Sequence, residues 1–97
     1  MLAVLAVSKD EDQGRSVMER FASLIKERPD LGEALYVIGP TQAAVSKIND
    51  LYRHVLYLKH SDYERLVRIK DMLEAYIKEQ DYKNISIQFD FDPMNAY

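Results

Sequence analysis

The stretch YVIGPTQAAVSKINDLYRHVLYLKH, Tyr36 to His60, holds two apolar runs rich in aromatic and β-branched residues, with no room for a helix between them. Leu35 to Ile38 reads as one strand and Tyr52 to Lys59 as the next, and strands this close in sequence most simply pair antiparallel. Gly39-Pro40 ends or bulges the first of them, because proline has no N–H to give to a ladder. A loop carrying Lys47 fills the gap. Along the second strand, Tyr52, His54, Leu56 and Leu58 share one face, and Arg53, Val55, Tyr57 and Lys59 share the other.

The flanking elements fall into place around this hairpin. Leu2 to Ser8 is apolar on both faces, the mark of a strand in the middle of a sheet, and the pattern is too short for a helix. Ser8-Lys9-Asp10-Glu11 has capping-box spacing and opens a helix whose stripe is Val17, Met18, Phe21, Leu24 and Ile25, closed by Pro29 and Gly32. Ser61-Asp62-Tyr63-Glu64 opens a second helix that runs to about Gln80. Its stripe is Leu66, Ile69, Leu73, Tyr76 and Ile77, with Met72 at the margin. After a turn at Asp81 to Asn84, a strictly alternating strand points Ile85, Ile87, Phe89 and Phe91 inward and Ser86, Gln88, Asp90 and Asp92 outward, and Pro93 ends it. The order β-α-β-β-α-β predicts a single α+β domain over residues 1–97, a ferredoxin-like plait. Right-handed crossovers put both helices on one face of a four-stranded antiparallel sheet, with the first and third strands central. The other face stays open unless a partner covers it.

Ninety-seven residues suffice for one small core, and 47% hydrophobic with 30% charged residues is ordinary for a folded domain. The absence of cysteine excludes a disulfide framework and a thiolate zinc site. The apolar LAVLAV start is too short to span a bilayer and lacks a signal-peptide leader, so a cytoplasmic location is expected. The formal charge of −3 argues against a strong general nucleic-acid binder. Charge is unevenly spread, however. Residues 47–70 hold six cations (Lys47, Arg53, Lys59, Arg65, Arg68, Lys70) against three acids, a local +3 that favours an anionic partner.

A reactive constellation is hard to find. With three glycines and Gly39 followed by proline, there is no phosphate-cradling loop. His54 falls on the core face, and both it and His60 read more simply as packed or capping histidines than as ligands or bases. Asp90 and Asp92 alone make a poor cation site and read as a solvated strand edge. Tyr57, between Arg53 and Lys59, suits either stacking against nucleic-acid bases or packing under a neighbouring domain. For Arg65, Arg68 and Lys70 the alternatives are phosphate contact or a solvated helix face with pairs such as Glu64 with Arg68.

The order Gly39-Pro40, Ala43, Val45, Lys47, Tyr52-Arg53, Leu56, Leu58-Lys59 resembles the C-terminal domain of the PriA family of primosomal, replication-restart DNA helicases (primosomal protein N-prime). So do Leu66 after Lys59-His60-Ser61 and the closing Asp90-Phe91-Asp92-Pro93, which is similar to the family's terminal signature. The resemblance runs from Leu2 to Pro93. It implies a ferredoxin-like domain that packs beside the helicase core and helps bind forked or single-stranded DNA. It also implies a part in docking the acidic C-terminal tail of single-stranded DNA-binding protein. Its DNA-contacting positions map to Lys47, Arg53 and Lys59, with Arg65 and Arg68 as further candidates. The family's early basic residue of the second helix is replaced here by Asp62, Tyr63 and Glu64, making Arg65 the first cation.

On this reading the chain is a piece of a longer protein whose Walker motifs and zinc-binding cysteines lie elsewhere. That protein would use ATP, magnesium and zinc; this fragment itself needs no cofactor, binds no metal and performs no catalysis. The alternatives are a structural module whose open face packs on the helicase core without touching DNA, and a plait-fold acylphosphatase. The last would need an arginine-bearing phosphate loop where Ser8-Lys9-Asp10-Glu11 places acids.

Overall fold

The computed structural model describes residues 1–28, 34–48 and 51–92, the side chains of 42–48 excepted. Among these the elements are β1 (Leu2–Ser8), α1 (Glu11–Lys26), β2 (Tyr36–Ile48), β3 (Leu51–Lys59), α2 (Tyr63–Gln80) and β4 (Ile85–Phe91). The strands form one antiparallel sheet in the order β2-β3-β1-β4, with both helices on one side, the ferredoxin-like plait expected from the sequence.

Alternation sets the layers. Leu2, Val4 and Ala6 of β1 and Leu56 and Leu58 of β3 meet Val17, Met18, Phe21 and Ile25 of α1 and Leu66, Ile69 and Leu73 of α2. Each fully buried aliphatic or aromatic side chain of this set contributes about 1.5–3 kcal/mol of transfer free energy. β1 is buried on both faces, since Ala3 and Leu5 join Val55 in a second cluster on the far side. On β4, Ile85, Ile87, Phe89 and Phe91 pack inward but stay half-buried, as befits an edge strand.

The helix starts are set one or two residues later than the capping-box spacing suggested. Asp10, not Ser8, caps α1: its carboxylate accepts the N–H groups of Asp12 at 3.0 Å and Gln13 at 3.3 Å. Ser8 is buried and accepts the Asp10 N–H at 3.0 Å, so its hydroxyl fixes the turn into the helix. Asp62 caps α2 by accepting from Glu64 N–H, and Asp81, at φ +48°, ends it. Tyr76 and Tyr82 meet edge to face, and Arg20 Nε donates to the Tyr76 hydroxyl at 3.3 Å, tying α1 to α2.

The second strand departs most from expectation. β2 does not stop at Gly39-Pro40 but continues to Ile48 through two irregularities. The first lies between Ile38 and Thr41, where β2 takes three steps against two on β3. The second lies between Gln42 and Lys47, five steps against two. Pro40 is tolerated because β2 is an edge strand and the bulge removes the need for its N–H. Gly39 takes φ +100°, where a side chain is strained. The segment expected as a loop is therefore mostly strand.

His54 sits in the core face at 3% exposure, and its Nδ1 has no hydrogen-bond partner. Burial is the chief cause that pushes its pKa below 6.5, opposed by Glu11 and assisted by Arg15. The unfolded chain then binds the proton more readily than the folded one. Stability is complete above pH 6.5 and falls as pH drops toward the folded value, with a limiting slope of about 1.4 kcal/mol per pH unit. Urea midpoints measured between neutral and mildly acid pH should decline accordingly, and His54→Leu should flatten that decline. An equal decline in the variant would remove His54 as its source.

Candidate nucleic-acid interface

The sheet face away from the helices can be read off as cross-strand rows. Tyr36 lies opposite Lys59; Ile38 opposite Tyr57, then Ala3, then Asp90; Thr41 opposite Val55, then Leu5, then Gln88; Arg53 opposite Val7, then Ser86. Neighbouring strands are about 4.8 Å apart and successive same-face residues about 6.8 Å, so Arg53 and Lys59 mark the ends of a track of about 20 Å along β3.

This face is not uniformly open. Val55 is 1% exposed and Ala3 and Leu5 are buried within the chain itself, with Val7 and Tyr57 packed on them. Accessible surface remains at Ser86 and Gln88 on β4 and, as large apolar side chains, at the β2 end, where Tyr36 is 73% and Ile38 50% exposed beside half-buried Tyr57 and exposed Lys59. Tyr36 and Ile38 were not singled out as site residues. The signal was present, since Leu35 and Val37 alternate with them and pack on the core.

Of the expected anion-contacting residues, Arg53, Tyr57 and Lys59 share this face. Arg53 and Tyr57, like Asp90 on the far side of Ala3, also interact with neighbours within the chain. Arg65 and Arg68 belong to α2, in the helical layer on the other side of the sheet, so the fold does not gather the five cations into one patch. The backbone of Lys47 pairs with Tyr52, one position off Arg53; its side chain lies outside the described residues. Lys70 is held by Glu74, which raises its pKa, and lies 5.9 Å over the Phe89 ring.

The acids and histidines resolve into structural roles. Asp90 ends the Tyr57 row. Asp92 has left the strand at φ +50°, and its carboxylate takes the Met1 ammonium at 2.7 Å, so the two do not project side by side from one strand face as expected. The positive φ turns the chain away from the pleat. His60 Nδ1 accepts the Asp62 N–H at 2.8 Å, a capping role. Among the described residues no group of three or more His, Asp or Glu side chains is placed to hold a metal ion, and no helix is long and apolar enough to cross a membrane. Tyr63, exposed at the start of α2, meets Phe91 in a tilted ring contact with centroids 5.0 Å apart.

The fold is shared with a de novo designed protein, Foldit4, at a TM-score of 0.65 over 95% of this chain and 96% of that one. Their 14% identity limits the likeness to architecture. "Replication restart protein PriA" of Bacillus subtilis (strain 168) is 29% identical over 94 residues, 95% of this chain but 11% of the relative, so the chain spans about a tenth of that protein's length. Residues 1–94 match the family described as "Primosomal protein N C-terminal domain". With the whole plait accounted for by that match, the chain belongs to the family of PriA C-terminal domains.

Proposed function

We propose that this chain is the DNA-binding and partner-docking module of a replication-restart helicase of the PriA kind, assembling primosomes at stalled forks and acting without chemistry of its own. The observation that carries it is the placement of Arg53 and Lys59 on the same non-helical sheet face, flanking Tyr57, in a family member. ATP hydrolysis, with its magnesium and zinc, would belong to the remainder of the longer protein. Its partners would be forked or single-stranded DNA, the helicase core, and the acidic tail of single-stranded DNA-binding protein. For that tail the start of α2 is a poor seat, because Asp62 and Glu64 present like charge there.

Forked-DNA affinity should fall steeply with salt, as counterion release requires. Arg53→Ala and Lys59→Ala should each weaken binding and lower the salt slope by about 1, with little dependence on sequence. Arg68→Ala, on the opposite side of the sheet, should change neither. Affinity indifferent to salt, or lost equally in all three variants, would argue against the proposal.

A second reading is favoured by the exposure of Tyr36 and Ile38: this end of the sheet packs on the helicase core without contacting DNA. Under it Ile38→Ala in the longer protein should loosen the domain from the core and leave DNA affinity unchanged.

A further inference from the structure

Resting on the proposed DNA-binding role, we propose that Tyr36, with Tyr57, forms a base-stacking site for single-stranded nucleic acid at the β2 end of the sheet. Tyr36 is the most exposed large apolar side chain among the described residues. It stands directly across the ladder from Lys59, and Tyr57 stands one row down, across from Ile38. Two rings and an isoleucine thus make a nearly continuous apolar surface, bordered by a cation at its edge and a second at Arg53 along the same strand.

Charge selects both the occupant and its path. Cations lie along β3, whereas Asp90 closes the Tyr57 row on β4 and repels phosphate from that side. A polyanion is therefore drawn to the Lys59 end of β3 and not across the sheet. Single strands are selected because duplex bases are already stacked on one another and offer no free face to a tyrosine. A lysine directly beside the exposed ring also fits nucleic acid better than a protein partner, whose interface cores are depleted in lysine.

The test uses the 97-residue chain and a labelled eight-nucleotide thymidine oligomer, its abasic counterpart and a duplex of equal length, at several salt concentrations. Tyr36→Ala is expected to weaken oligomer binding about tenfold while leaving the salt slope unchanged. Tyr36→Phe should retain most of the affinity. The abasic oligomer, which can stack on neither ring, should bind the wild type at least as weakly as the normal oligomer binds Tyr36→Ala. Because Tyr36 is mostly solvent-exposed, both variants should keep the wild-type circular dichroism spectrum and unfolding midpoint. Oligomer binding that is lost in Lys59→Ala but untouched in Tyr36→Ala overturns the stacking site and leaves the DNA-binding role standing. No binding of any nucleic acid by the wild type overturns both. Unchanged DNA affinity in Tyr36→Ala, together with protection of Tyr36 from solvent in the longer protein, assigns the patch to a protein contact instead.

Discussion

Gly39→Ala is expected to lower the thermal unfolding midpoint by about 10–20 °C, a loss of about 2–3 kcal/mol for a chain of this size. At φ +100° an L side chain is strained in any surroundings. Here the added Cβ would also come within 3.0 Å of the Thr41 nitrogen and the Val55 carbonyl oxygen. Both are backbone atoms of the β2–β3 ladder and cannot move without opening it. The strand next to β3 would be displaced, and Tyr36 and Ile38 with it, so DNA affinity should drop along with stability. A Gly39→Ala protein melting within a few degrees of wild type would mean that the bulge is free to rearrange.

Gly14→Ala carries the second large expectation, and its sign depends on His54. Alanine in the interior of a helix is favoured over glycine by about 1 kcal/mol. A Cβ on Gly14, however, would stand 2.9 Å from His54 Nδ1, and that ring is locked between α1 and the sheet. Overpacking of this sort costs about 1–3 kcal/mol, so the variant should be less stable despite its better helix propensity. With His54→Ala in the background the clash vanishes, and Gly14→Ala should become stabilising by roughly 1 kcal/mol. Chemical denaturation of the four proteins of this cycle decides it. Additive effects would show that the two residues do not press on one another.

Much of this architecture could be read from residue order. Alternation in Ile85 to Phe91 and the doubly apolar Leu2 to Val7 identified an edge strand and a central one, because sheet burial repeats every two residues. The face assignments of Tyr52 to Lys59 follow from the same period, and the register with β1 is unbroken. The course of β2 was hidden because its two irregularities break that period, and a Gly-Pro pair fits the end of a strand as well as a bulge within an edge strand. The cap of α1 was misplaced by two residues because Ser8 and Asp10 both offer an oxygen, and which one serves depends on where β1 releases the chain. As for the candidate site, the sequence grouped its cations by proximity along the chain. Arg65 and Arg68 follow a reversal at His60 to Asp62 that carries them to the other layer, and charge counting is blind to such a turn.

β1 has one further consequence, for the order of assembly during synthesis. One of its edges is occupied by β3 and the other by β4, which is synthesised last among the four described strands. The seven-residue β1 therefore waits, with one flank unpaired, until β4 has been made. Pairings this distant in sequence close slowly, and a nascent chain arrested before Ile85 holds an apolar ribbon open to chaperones or to its neighbours.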